Sequence, residues 1–545
     1  MNFKIAAFAL TSSLFTVTAA TAQTDTSAAQ LPGSEVRVEK LFEARLADAK
    51  RIALEPSLPA LDTSLVPQEY EVLPVEADVA YAPPKIRPLA IKVPAPPQPY
   101  KGFARLGGGV PGAWIGDLGY VTSTERLALR GDAHTYGFLG NFNDDQRYAE
   151  IETRLGGTYY ATDAIAVDLD VDFDRRQYRY YGFAAAAGDT SARLTEPNDR
   201  QHFNVLGFRA GVRNAAPTAP GIDYRIHVGA DFLSDNFAVD ERELRFDGLG
   251  RKDFSEAWYA ELGTDLRFIR YNGIEDQKLN IFNILPTVGA HFERLGLRLG
   301  ANVANEDDVF RVYPRAEVTY AVRPTLVLIA GADGGPRAQS YRALSRYLPY
   351  LVTDPELRIA QELRFFGGVQ TRLRGIDVEA TAGFERINDL ALFVTDAERA
   401  YQFRPRYDSA NVVFVKLEAS APITARLSGN LQVESRSFSL ETAEAPYLLP
   451  SFDAQLRLGY KVSEKLSASG LLVAQNSFPV FVPGDGEEAP ENGALFDFSI
   501  HGGYQLGARF SAFAQANNLF NNRRRKFPFY PVLGTNLLVG VTARF

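Results

Sequence analysis

Cysteine is absent from the 545-residue chain, and methionine and tryptophan nearly so, with one and two copies. Without a thiol there is no disulfide framework, no Cys-ligated zinc, no iron–sulfur cluster, no thiol nucleophile and no lipid-modifiable cysteine. Lysine is scarce too: of 58 basic residues, 12 are lysine and the rest arginine. Guanidinium forks hold carboxylates at fixed geometry, so this bias suits ion pairs on an enclosed wall. A formal charge of -8 with no basic domain argues against nucleic acid as the main partner. Long apolar runs are also missing: beyond residue 22 nothing approaches the ~20 apolar residues that a membrane helix requires.

Catalytic motifs are equally thin. The histidines His134, His202, His227, His291 and His501 stand singly, with no H-E-x-x-H, G-x-S-x-G or P-loop pattern. Gly107 to Gly112 matches G-x-G-x-x-G, with Asp132 beyond it. A dinucleotide site needs that turn to open a helix, but Pro111 interrupts it and Trp114 to Val121 alternates like a strand. It reads as a glycine-rich strand end or loop. The acidic stretches 305–308 and 484–488 lack the ligand spacing of a calcium loop. The expectation is no enzyme, no metal and no cofactor.

What is present starts with an export signature. Lys4 precedes the apolar stretch Ile5 to Val17, and Ala20-Thr21-Ala22 forms an A-x-A cleavage site, so residues 1–22 read as a signal peptide. Residues 23–99 form a separate segment, expected to be periplasmic. Val38, Leu41, Phe42, Leu46, Ala49 and Ile52 recur near helical period, predicting a short helix over 35–54 that Pro56 ends. Residues 56–99 then hold 11 of the chain's 31 prolines, a density that favours an extended arm.

From Tyr100 to Phe545 the chain alternates with period two. Ile165, Val167, Leu169, Val171 and Phe173 share one face, against Asp168, Asp170, Asp172 and Asp174. Tyr224 to Phe232, Ile376 to Phe384 and Phe452 to Tyr460 repeat the pattern. Clean runs of nine or ten residues match a tilted membrane strand rather than the ~5–6 residues of a soluble sandwich strand. Tight turns such as Thr162-Asp163 and Arg374-Gly375 alternate with long polar stretches at 182–200, 238–253, 334–355 and 478–493. Aromatic clusters at Tyr178 to Tyr181 and Phe527 to Tyr530 are expected to mark a membrane-interface girdle. The reading is an all-β, transmembrane, antiparallel up-and-down β-barrel over 100–545. About 21 runs can be counted, so 20–22 strands are expected, with 16 or 18 as smaller alternatives and 272–278 undecided between turn and outer loop.

Three groups of residues are candidates for a role. Asp168, Asp170, Asp172 and Asp174, with Arg209 and Arg213 on the next strand and Arg225 and Asp231 on the one after, would line the lumen as an ion path or a rigid salt-bridge lattice. Arg523, Arg524, Arg525 and Lys526 lie in the last long connection, where lipopolysaccharide phosphates would suit guanidinium forks. Leu537, Val539, Val541, Ala543 and Phe545 form one apolar face ending at the carboxylate, an expected signal to the barrel-assembly machinery.

The C-terminal stretch carries a family resemblance. Phe513-Ala514-Gln515-Ala516-Asn517-Asn518-Leu519-Phe520, then a Tyr/Pro loop and a final strand ending in Phe545, resemble the end of TonB-dependent receptor barrels. Tyr347 to Leu351 and Leu448 to Phe452 resemble further segments of that family. Those receptors carry an N-terminal plug domain, whereas here only 23–99 precedes the barrel, with Ser34 to Val38 faintly like a TonB box. The chain is thus similar to plug-less, Bacteroidetes-type relatives. The resemblance implies outer-membrane localisation, contact with lipid and lipopolysaccharide, solute uptake through a partly filled lumen, and a TonB-type or surface-lipoprotein partner. The alternative is a structural or assembly component that anchors partners without transport.

Overall fold

The computed structural model describes residues 100–545 apart from 141–145, 184–193, 195–197, 219, 307 and 482–491. The signal peptide at 1–22, the helix at 35–54, the TonB-box-like string and the proline-rich arm at 56–99 fall outside the described residues.

The barrel opens with β1 (Gly102–Val110), β2 (Ala113–Ser123), β3 (Leu127–Phe138), β4 (Tyr148–Thr162), β5 (Ile165–Arg179) and β6 (Arg200–Asn214). It continues with β7 (Ile222–Asp235), β8 (Asp240–Asp253), β9 (Trp258–Asn272), β10 (Gln277–His291), β11 (Leu295–Glu306), β12 (Val309–Arg323) and β13 (Leu326–Gln339). The helix α1 (Tyr341–Tyr347) precedes β14 (Arg358–Leu373), β15 (Ile376–Thr395), β16 (Phe403–Pro422) and β17 (Leu427–Leu440). The last strands are β18 (Phe452–Lys461), β19 (Leu466–Gln475), β20 (Leu495–Gln505), β21 (Phe510–Asn517), a minor pair β22 (Arg525–Phe527) and β23 (Tyr530–Pro531), and β24 (Asn536–Arg544).

Each barrel strand pairs antiparallel with its neighbour in sequence, β21 pairs with β24, and β24 pairs back onto β1 from Phe103↔Arg544 to Val110↔Leu537. The sheet is therefore closed, with 22 strands and no free edge. The seam is tight. A Cβ on Gly109 would overlap the Leu537 carbonyl, and one on Gly540 would overlap both the Leu106 carbonyl and the Phe513 ring. Glycine lets the two ends of the barrel meet.

The count of 22 depends on β8, which forms where the polar stretch 238–253 predicts a loop. Its outward positions include Arg242, Gly248, Gly250 and Lys252, so the apolar half of the alternation is too weak to register. Residues 334–339, also read as loop, complete β13, and the undecided stretch is a tight hairpin at 273–276. The glycine string belongs to β1 and a two-residue turn, Pro111-Gly112.

The connections sort by end. Ten short ones, from the two residues 163–164 to the seven residues 215–221, lie at the end that also holds Gly102 and Arg544. Arg374-Gly375 shows why two residues suffice: both have positive φ (52° and 85°), the geometry that matches the twist of a hairpin. The longest connections, including 340–357, 441–451, 476–494 and 518–535, all lie at the opposite end.

Alternation assigns the two faces. On β24, Leu537, Val539 and Val541 are more than half exposed, whereas Leu538 is buried at 1% and Thr542 at 4%. The same division runs around the sheet, leaving a continuous outer band of exposed Leu, Val, Ile and Phe that suits hydrocarbon. On β5 the band spans Ile165 to Phe173, roughly 20 Å for nine tilted residues. An aromatic girdle is present, but at the short-turn end: Tyr120, Tyr159, Trp258, Phe292, Tyr320, Tyr460, Tyr504 and Phe545 are all exposed there. Tyr120 stacks on Phe545, and Trp258 meets Phe292 edge-on.

Candidate functional site

The inward faces of β2 to β9 carry a lattice of ion pairs. Asp168 accepts from Arg213 at 3.1 Å, as expected for neighbouring strands. Asp170 stands opposite Arg209 in register but pairs with Arg130, two strands away, at 2.7 Å. The reason is Gly156 on the strand between, opposite both residues, where a Cβ would crowd the Asp170 carboxylate and the Arg130 guanidinium. Asp174 takes Arg176 of its own strand at 3.0 Å, and Asp172 leans over Gly207. Asp231 binds Arg245 at 3.4 Å and Arg342 of α1 at 2.5 Å. His134 sits between Asp117 at 2.6 Å and Glu150 at 3.8 Å.

Arg209, Arg225 and Asp172 form no ion pair among the described residues, and Arg225 stands opposite Arg213, a like charge. Of the eight expected lumen charges, the structure thus brings five into pairs and leaves three to the lumen. The exposed pairs, such as Arg130 with Asp170, contribute at most about 1 kcal/mol each, whereas Arg176 and His134 are buried. The wall is a wet, charged surface more than a source of stability.

Toward the long-loop end the inward face changes character. On β5 the sequence Asp168, Asp170, Asp172, Asp174, Arg176 gives way to Tyr178. On β9, Asp265 and Arg267 give way to buried Ile269 and Tyr271. This apolar collar surrounds a packed plug of loops. Buried Tyr341, Leu344, Leu348, Tyr350 and Leu351 of the 340–357 connection join Phe203, Leu233, Phe393, Phe403, Leu448, Phe478, Phe527 and Tyr530 in one cluster. Tyr350 stacks on Tyr530 at 3.7 Å, and Tyr347 on Phe393 at 5.2 Å. Burial pushes the Tyr350 and Tyr530 phenols well above their usual range.

Hydrogen bonds lock this cap to the wall. Ser340 caps α1 through the Ala343 N–H, while the buried Glu241 carboxylate accepts from the Tyr341 and Arg342 N–H groups at 2.6 and 3.1 Å. Gln402 donates to the Tyr180 hydroxyl at 3.0 Å, and Tyr180 donates to Gln201 at 3.1 Å. Gln201 and Tyr341 both donate to Asp235 at 3.1 Å. The Phe403 N–H donates to the Tyr350 carbonyl and the Val352 N–H to the Phe403 carbonyl, which stitches the connection to β16. Arg404 forks onto Asp354 and reaches Asp396 at 3.2 Å.

Two expectations are corrected here. The clusters Tyr178 to Tyr181 and Phe527 to Tyr530 are not a membrane girdle; they pack inside the cap, because loops folded over the mouth offer rings a drier place than the lipid interface. Within the basic run, Arg523 and Arg525 are exposed, but Arg524 turns inward and is only 9% exposed. It donates to Gln475 and lies 5.5 Å from the Phe478 ring centroid. Burial lowers its guanidinium to about 10, with Asp453 and Tyr347 pulling the other way. Glu241, Asp354, Gln402 and Arg404 were not anticipated, since their partners lie on distant segments. The weak signal for Glu241 was an acid alternating with Glu243 on a strand read as loop.

Among the described residues no group of three His, Asp or Glu side chains is arranged to hold a metal ion.

No protein-family model and no curated protein matches the sequence. Solved structures do match the fold. The siderophore receptor PirA of Pseudomonas aeruginosa superposes with a TM-score of 0.58 at 14% identity, covering 82% of this chain and 79% of that one. PirA of Acinetobacter baumannii gives 0.63 at 11%, covering 82% and 80%. FpvA, the pyoverdine outer-membrane receptor of P. aeruginosa PAO1, solved with pyoverdine, gives 0.62 at 12%, covering 83% and 79%. The likeness is one of fold: the closed barrel superposes on those of solved siderophore and pyoverdine receptors.

Proposed function

We propose that this chain is an outer-membrane barrel for solute uptake, with a charged lumen that its own loops close on the outer side. The observation that carries the reading is the pairing of an apolar outer band with a wide, charged inner wall on one closed sheet. Such a wall suits water and polar solute, and a barrel of this size does not fill itself with side chains. The receptors that share its fold are named for siderophores and for the outer membrane, which supports the same location and class of activity. In this reading residues 1–22 direct export and β24 addresses the barrel-assembly machinery. Arg523, Arg525 and Lys526 face the lipopolysaccharide side, and residues 23–99 act at the periplasmic end, where a TonB-type or lipoprotein partner would engage.

The sealed outer mouth favours a second reading, in which the barrel is an anchor that never conducts. Planar-bilayer recording separates the two. The intact barrel should be closed or narrow, and deleting 341–356 together with 23–99 should raise single-channel conductance severalfold. Silence in both forms would overturn uptake and leave the anchor. Equal large conductance in both would show that neither loop cap nor arm closes the lumen.

A further inference from the structure

On the outer face of the barrel, near the long-loop end, three cations stand in one row. Arg242 on β8 lies directly opposite Arg270 on β9, which lies directly opposite Lys278 on β10. Their strand neighbours Glu241, Glu243, Ile269, Tyr271 and Leu279 are the buried, inward residues, which puts the three cations outside. The next outward row is Leu244, Phe268 and Asn280, and the one after is Phe246, Leu266 and Phe282. Phe268 and Phe282 meet edge-on at 5.2 Å. The cations therefore sit on the upper border of the apolar band.

Like charges directly opposite one another in a sheet repel. Along the inner wall arginine is commonly answered by a carboxylate, but these three form no ion pair among the described residues. Arg270 uses one terminal nitrogen on the Ile269 carbonyl and the Asn280 side-chain oxygen, at 3.0 and 2.9 Å. Asp240 and Asp276 come two residues nearer the loops, on β8 and just before β10, and form no ion pair with the row among the described residues.

We infer that the outer face of β8–β10 binds a phosphorylated lipid of the outer leaflet, with phosphate on Arg242, Arg270 and Lys278 and acyl chains on Leu244, Phe268 and Phe282. Charge complementarity and the border position commit the site to a phosphate-bearing amphiphile, whose headgroup would relieve the repulsion within the row. The inference rests on the outer-membrane reading. It also moves the principal lipid contact away from the 523–526 run, in which Arg524 is buried.

The test uses the full chain reconstituted in phosphatidylcholine vesicles with or without bisphosphorylated lipid A, comparing wild type with R242Q/R270Q/K278Q. Wild type should retain bisphosphorylated lipid A through detergent extraction and prefer it to the dephosphorylated form. The triple variant should bind it roughly 100-fold more weakly, as three near-surface cations imply. In detergent free of lipid A the variant should melt at the same temperature or higher, because its like charges are gone. That control reports its folding. Equal lipid A affinity in an inserted wild type and variant would overturn the site alone, as would inorganic phosphate binding as tightly as the lipid. Loss of a dimer rather than of lipid would assign the row to a second copy and overturn the lipid. Failure of wild type to insert into either vesicle would overturn the outer-membrane reading and the site with it.

Discussion

Single positions decide whether the barrel closes and what its mouth contains. Gly109 lies on the seam, so Gly109→Val must push β24 away, and the expected product is unassembled, protease-sensitive protein. Gly502 has nothing within 4 Å of where a Cβ would stand, so Gly502→Ala should give normal heat-modifiable barrel on a gel. Arg524 poses a different question. Its folded value of about 10 lies below the ordinary arginine value, so the folded state gives up this proton first. The buried charge therefore counts against folding at any pH below about 10, and stability should rise with pH only between there and the unfolded range. At neutral pH Arg524→Met should leave thermal stability unchanged or raise it by about 1–3 kcal/mol. A loss of similar size would show that the guanidinium's polar contacts outweigh its burial. Arg523→Met, on the exposed side, should change stability by under about 0.5 kcal/mol.

At the scale of elements, β24 and the 340–357 connection do separate jobs. The outward face of β24 meets the apolar band, so Val541→Asp places a carboxylate against hydrocarbon and should cost up to about 2 kcal/mol. Removing Phe545 takes away the ring that stacks on Tyr120. Both changes should leave unfolded protein in the periplasm, whereas normal heat-modifiable barrel in the membrane would defeat the role given to this strand. The 340–357 connection works by packing. Tyr350 is buried face-on against Tyr530, and Tyr350→Ala should cost about 3–5 kcal/mol. That loss should appear locally, as proteolysis within 340–357 while the barrel remains intact, because the Tyr350 side chain takes no part in the strand-to-strand hydrogen bonds. Global unfolding at the same protease dose would mean that cap and barrel form one cooperative unit.

For the whole molecule, closure of the sheet and closure of the lumen are different events. The sheet closes through backbone pairing of β1 with β24, whereas side chains from several connections pack together at the long-loop end of the lumen. A protein built this way can lose its cap and keep its barrel, which is why deleting 341–356 is expected to change conductance more than assembly. The cap matters to the lumen wall where Asp231 pairs with Arg342 of α1 and Glu241 accepts from the α1 backbone. The wall's exposed pairs, such as Arg130 with Asp170, contribute at most about 1 kcal/mol each and stiffen the wall more than they stabilise it.

Period-two alternation in Ile165 to Asp174 or Phe452 to Tyr460 was enough, by itself, to determine strands, their two faces and a membrane barrel, because in a closed sheet each strand meets lipid on one side and the lumen on the other. Those two solvents write their demands residue by residue along the chain. Pairing of Asp168 with Arg213 was legible for the same reason, since neighbouring strands are neighbours in sequence. Only the tertiary structure decided the rest. β8 became a strand because its neighbours β7 and β9 bond it on both edges, which overrides a weak apolar face. Asp170 chose Arg130 over Arg209 because Gly156 leaves the space between them open. The aromatic clusters at 178–181 and 527–530 went into a cap rather than an interface because irregular connections carry no period that tells inside from outside. Their burial depends on which loops meet over the mouth, and that is set by the order of strands around the barrel rather than by any local pattern.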